Sequence, residues 1–269
     1  GAPSDLCSAK LMAGADLISI NGFFLEEPTL AWAQSNKRGE AVILALGDRS
    51  VTPDEWQFDF TFPESAGHPN PHLWSDPNLG LRYAELVQDR LATLDPDNAA
   101  YYAENLEIFR GKVEKMDQAI RVAVATVPEE NRKLLTYHDS WAYFAKQYGM
   151  EVIGAVQPSN FSQPSVREVA ELIDQVKELG LPAVFGSEVF SSDVLEAIAS
   201  EADAQFIDDL ADHDLPGEPG DPGHTYLGLM KQHLAAMIPA LGGDASALAG
   251  LELRNIFDGG SGAVSPHYT

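Results

Sequence analysis

Residues 98–126 read NAAYYAENLEIFRGKVEKMDQAIRVAVAT. Apolar side chains recur through them at spacings of three and four: Tyr102, Leu106, Phe109, Val113, Met116, Ile120 and Val124. That period belongs to an α-helix with one buried face. Asp97 or Asn98 supplies the N-cap, and Pro128 stops the helix. At 1.5 Å per residue it is roughly 40 Å long, more than a small domain is wide. On both sides the chain changes rhythm. Short apolar runs at Leu17–Ile20, Ala41–Leu46, Lys133–Tyr137, Glu151–Val156, Ala183–Ser187 and Gln205–Asp208 read as covered strands. Between them lie helical stretches at Ser4–Ala13, Glu27–Ser35, Asn78–Leu94, Pro164–Leu179, Ser191–Ser200 and Thr225–Leu241. This alternation predicts an α/β fold with mainly parallel sheets. The long helix then reads as a rigid connector between two lobes, the plainer alternative being a packing helix. The expected division is a first lobe over residues 1–97, the connecting helix over 98–127, a second lobe over 128–242 and a Gly/Ala/Ser-rich tail over 243–269.

Composition narrows the function classes. The 269 residues carry 17 Lys+Arg against 41 Asp+Glu, a net charge of −24. No basic stripe exists to displace counterions, which argues against a nucleic-acid partner. The same charge disfavours an anionic membrane surface. With 45% hydrophobic residues the chain is too apolar for disorder. A single cysteine, Cys7, allows neither an internal disulfide nor a thiolate cluster, and reads as a small core residue of the first helix. There is no apolar run of membrane-spanning length. HExxH, GxSxG and phosphate-loop motifs are absent.

The histidines carry the chemistry. His138 follows the strand ending at Tyr137 and precedes a helix around Trp141–Tyr148. Ligands of open α/β sheets gather at such strand ends. Glu188 follows the strand Ala183–Ser187 in the same way. The plain readings are a capping histidine and a solvated carboxylate. His68 and His72 are four apart, but Pro69 and Pro71 forbid the helix that would pair them. His72 alone, before Trp74 and the helix-starting Asp76-Pro77, is the stronger candidate, against a loop histidine stacked on Trp74. His224 closes the Gly/Pro-rich loop His213–Gly223 and opens the last long helix, as a ligand or a helix-start residue. His213, His233 and His267 read as surface histidines.

Taken in order, these stretches resemble the substrate-binding proteins of zinc/manganese ABC transporters. Pro3-Ser4-Asp5 with Gly14-Ala15-Asp16-Leu17 and Asn21-Gly22 is similar to that family's first helix, strand and turn. Asn70-Pro71-His72-Leu73-Trp74-Ser75-Asp76-Pro77 resembles its first motif here. Tyr137-His138-Asp139-Ser140-Trp141-Ala142-Tyr143-Phe144 with Tyr148-Gly149 resembles the second. Phe185-Gly186-Ser187-Glu188 and Gly220-Asp221-Pro222-Gly223-His224-Thr225-Tyr226 resemble the last two. The resemblance implies a metal held between two lobes by His72, His138 and His224, with Glu188 or Asp139 as a fourth ligand or outer support. Many members carry Asp where this chain has His224. The family's first ligand is a histidine just upstream of the Pro-Ser-Asp stretch, so a sequence opening at Gly1 implies an incomplete first lobe. The tail Pro266-His267 joined to Gly1 would imitate that missing motif.

Three imidazoles favour Zn²⁺ over the alternative, Mn²⁺. The implied partners are the ion and an ABC transporter permease. The implied setting is extracytoplasmic, in the periplasm or as a cell-surface lipoprotein, and the implied state is a monomer. The competing classes are a zinc-dependent hydrolase, with Glu188 as its base, and a surface adhesin.

Overall fold

The structure is a computed structural model describing residues 5–156, 165–187, 193–210 and 215–254; for residues 5–8 and Asp209 it describes the backbone only. The mixed α/β class expected from the alternation is the one observed. In chain order the main elements are α1 (Asp5–Gly14), β1 (Leu17–Ile20), α2 (Glu27–Asn36), β2 (Val42–Ala45), α3 (Gly47–Ser50), α4 (Pro77–Leu94) and α5 (Ala99–Thr126). There follow β3 (Lys133–Thr136), α6 (Ala142–Tyr148), β4 (Glu151–Ala155), α7 (Val166–Leu179), β5 (Ala183–Ser187), α8 (Asp193–Ala202), β6 (Gln205–Leu210) and α9 (Tyr226–Ala240).

Both sheets are parallel. β1 pairs with β2 in register Leu17↔Val42 to Ile20↔Ala45. The second sheet has the order β4-β3-β5-β6. Its alternating side chains separate two cores, as a strand's two-residue period requires. Leu134, Ala183 and Phe185 face α5, α6 and α9. Leu135, Ile153 and Val184 face α7 and α8. The chain leaves β3 for β4 on one side and returns to β5 on the other. The C-terminal ends of β3 and β5 therefore flank a switch point, where such sheets open a crevice.

The long helix is present and ends before Pro128. Its N-cap residue is Asn98, but the Asn98 side chain makes no capping bond; its amide donates to Asp95 Oδ2 at 2.8 Å instead. The stripe is buried from Val113 to Val124, against β3, α6 and α9. Its first half lies along α4. It packs as a core helix and carries the chain from the first sheet to the second. α4 starts where Asp76-Pro77 placed it, with the Asp76 carboxylate accepting from Asn78 N. α7 closes a capping box between Ser165 and Glu168.

Two expectations need correction or detail. His233 is not a surface residue; it is 5% exposed, against Trp141. The reason is that α9 is apolar on several faces, with Leu229, Met230, Leu234, Met237 and Ile238 all buried, so position 233 points into the core. Residues 243–254 pack back on the molecule: Leu248 is buried, and Leu253 O accepts from Thr225 Oγ1 at 2.8 Å. Glu188, His213 and His267 lie outside the described residues, as does the side chain of Cys7.

Candidate metal site

His72 comes from the turn before α4. Asn70-Pro71 precedes it, and its carbonyl starts a 3₁₀ turn over Leu73–Ser75. The ring is 1% exposed and stands 5.0 Å from Trp74 and 5.8 Å from Phe62, centroid to centroid. His138 sits two residues beyond β3. Its carbonyl accepts from Thr136 Oγ1 at 2.7 Å and from Ser140 N at 3.1 Å, which fixes the corner into α6.

These two histidines, 66 residues apart, meet through their Nε2 atoms at 3.0 Å, with ring planes at 86°. Two nitrogens on one tetrahedral zinc, each at 2.0–2.1 Å, stand about 3.3 Å apart. The pair is within a few tenths of an ångström of that spacing.

The segments that carry the pair are tied by the protein itself. Asn70 is 0% exposed and donates from Nδ2 to Asp139 O at 2.9 Å and to Asp59 Oδ2. Its Oδ1 accepts from His72 N at 2.8 Å and contacts His72 Nδ1 at 2.7 Å. Asp139, also 0% exposed, accepts from Thr61 N at 2.9 Å through Oδ2. Asp139 therefore faces the 59–62 loop. Its Oδ1 is buried without a hydrogen-bond partner. Asp59 lies beside it. Burial first, and the charge of Asp139 second, push the Asp59 carboxyl up to about 8, while its bonds from Asn70 and Phe62 pull the other way.

His224 precedes the Thr225 N-cap of α9, and its Nδ1 donates to Pro216 O at 3.2 Å. It is not drawn into the His72–His138 pair. Among the described residues no group of three or more His, Cys, Asp or Glu converges at metal-holding distance. The start of α9 is nevertheless anchored near His72. Tyr226 Oη donates to Trp74 O at 2.7 Å, and Gly80 leaves room for that phenol: a Cβ there would meet Tyr226 Oη at 2.5 Å. His68 is exposed and stacks on Phe24 at 4.0 Å, away from any pairing with His72.

Asn70 and Asp59 were not assigned roles from sequence. A signal for Asn70 existed, because an Asn two residues before a candidate ligand is placed to accept that residue's N–H in an Asx turn. Asp59 is a lone loop carboxylate, and no pattern marks it.

A family profile described as the periplasmic component A of the zinc-uptake complex matches residues 3–240. The chain belongs to this family. The manganese-binding lipoprotein MntA of Halalkalibacterium halodurans is 26% identical over 239 residues, spanning 89% of this chain and 75% of its own. The iron-binding protein YfeA of Yersinia pestis is 28% identical over 241 residues, spanning 89% and 74%. The structure of the periplasmic zinc-binding protein TroA from Treponema pallidum matches with a TM-score of 0.75 at 25% identity, over 87% of this chain and 83% of that one. The family's members are metal-binding substrate-binding proteins of ABC transporters, which are solute binders and not enzymes. Nothing in the family supports the hydrolase alternative. Among the described residues no helix is long and apolar enough to cross a membrane.

Proposed function

We propose that this chain captures a divalent transition metal outside the cytoplasm, zinc in preference to manganese, and hands it to the permease of an ABC importer. His72 supplies one ligand from the first lobe (residues 1–97). His138 and His224 supply two from the second (128–242), with Glu188 as a fourth ligand or as an outer support. Asp139 supports His138 from behind. The reading is carried by one observation, the Nε2–Nε2 approach of His72 and His138 at zinc-sharing distance. The Tyr226–Trp74 bond supports including His224, since it ties residues two positions beyond His224 and His72. Imidazole nitrogens suit zinc, and oxygen-rich sites suit manganese. Relatives carry names for manganese, iron and zinc, so the preference rests on the donor set.

The test is calorimetric titration of the metal-stripped protein with zinc and with manganese, beside His138→Ala and His224→Ala. Zinc is expected to bind more tightly than manganese, and each substitution to weaken zinc at least tenfold. Equal zinc affinity in wild type and His138→Ala would end the assignment.

A further inference from the structure

We propose that Asn70 is a positioning residue that locks His72 in the Nδ1–H tautomer and so presents the Nε2 lone pair toward His138. The functional consequence rests on the metal-capture reading; the tautomer itself does not.

The locking follows from two backbone groups whose polarity never changes. Asp139 O can only accept, and it lies 2.9 Å from Asn70 Nδ2. His72 N–H can only donate, and it lies 2.8 Å from Asn70 Oδ1. Flipping the amide would set oxygen against carbonyl and N–H₂ against N–H, in a site with 0% exposure. The amide therefore has one orientation. Its oxygen, an acceptor only, also lies 2.7 Å from His72 Nδ1. That nitrogen must carry the proton. In the neutral imidazole the lone pair is then on Nε2, the atom 3.0 Å from His138 Nε2. The reverse tautomer would oppose two lone pairs at Asn70 and turn an N–H toward the ion's position. A donated second nitrogen is the usual device by which a protein orients a metal-binding histidine and raises its basicity. Here the acceptor is a neutral amide, held by the segment that bears the other histidine. Ring orientation and pair spacing therefore depend on one side chain.

The test uses the full chain, ¹⁵N-labelled and freed of metal by chelation, at about pH 8. Long-range ¹H–¹⁵N correlations distinguish a protonated ring nitrogen from a bare one. In wild type, His72 is expected to show a protonated Nδ1 and a bare Nε2. Asn70→Ala should lose that preference and weaken zinc by about ten- to a hundredfold. Asn70→Asp retains an acceptor at Nδ1 and should keep the tautomer. An Nε2–H form of His72 in wild type overturns the proposal without any variant having to fold. So does a folded Asn70→Ala protein with the tautomer and the zinc affinity unchanged. If wild type shows the Nδ1–H form yet binds no zinc, the capture reading fails and the tautomer assignment stands. Tight zinc binding with an Nε2–H His72 fails the assignment alone.

Discussion

Replacing Asp59 by Asn should flatten the pH dependence of stability between pH 5 and pH 8. Below about pH 4 the carboxyl is protonated in the folded and unfolded chains alike and costs nothing. Above that, the unfolded chain releases its proton near 3.9, while the folded chain keeps it until about 8. Over that window the unfolded state binds fewer protons, so folding stability is lost as pH rises, and the loss is complete above the folded value. Three pH units at 1.36 kcal/mol each set a ceiling of about 4 kcal/mol. Asp59 is half-buried, and water reaching the carboxylate relieves part of this, leaving about 2 kcal/mol. Asparagine mimics the protonated form and carries none of it. The assay is urea unfolding of metal-free wild type and Asp59→Asn at both pH values. The other titrating groups are common to both proteins, so the double difference reads position 59 together with its coupling to Asp139. The variant should gain about 2 kcal/mol on wild type between pH 5 and pH 8. A double difference of zero, or one of opposite sign, would show that Asp59 is ionised in the ordinary range and that the contact with Asp139 does not confine its charge.

Gly80→Ala places a methyl group 2.5 Å from Tyr226 Oη, so it should cost about 1–3 kcal/mol through displacement of the buried phenol, read as a lowered unfolding midpoint. An unchanged midpoint would mean that α4 and the start of α9 are not in contact there. Zinc affinity should fall as pH drops, because a protonated imidazole cannot coordinate, by up to about tenfold per pH unit for each of His72 and His138 that must lose a proton to bind. Calorimetry at a series of pH values reads the slope, and a flat profile would exclude both rings as ligands.

The parts legible in the sequence are those whose physics is local. Strand and helix boundaries fell close to expectation because periodicity and caps such as Asp76-Pro77 act within a few residues. His138 was legible because a polar residue directly beyond an apolar run marks a strand's exit. The illegible parts depend on contacts distant in the chain. Asp59 owes its environment to Asp139, and Asn70 reaches the same residue 69 positions on. His233 is not legible because a polar ring favours the surface, while the helix around it is buried on the side it occupies. His224 was placed at the head of its helix, but whether it joins the pair is a matter of tertiary geometry that no local pattern encodes.

The hydroxyl of Tyr226 on the Trp74 carbonyl is a latch across the molecule. It lies two residues past one histidine and two past another, so the jaws that would grip a cation share a fastening made of protein alone. Emptying the site then has a mechanical prerequisite. Separating these two segments would break that buried phenol bond and withdraw the ring from the notch at Gly80. On the capture reading proposed above, parting the segments that carry His72 and His224 would first require this fastening to be undone.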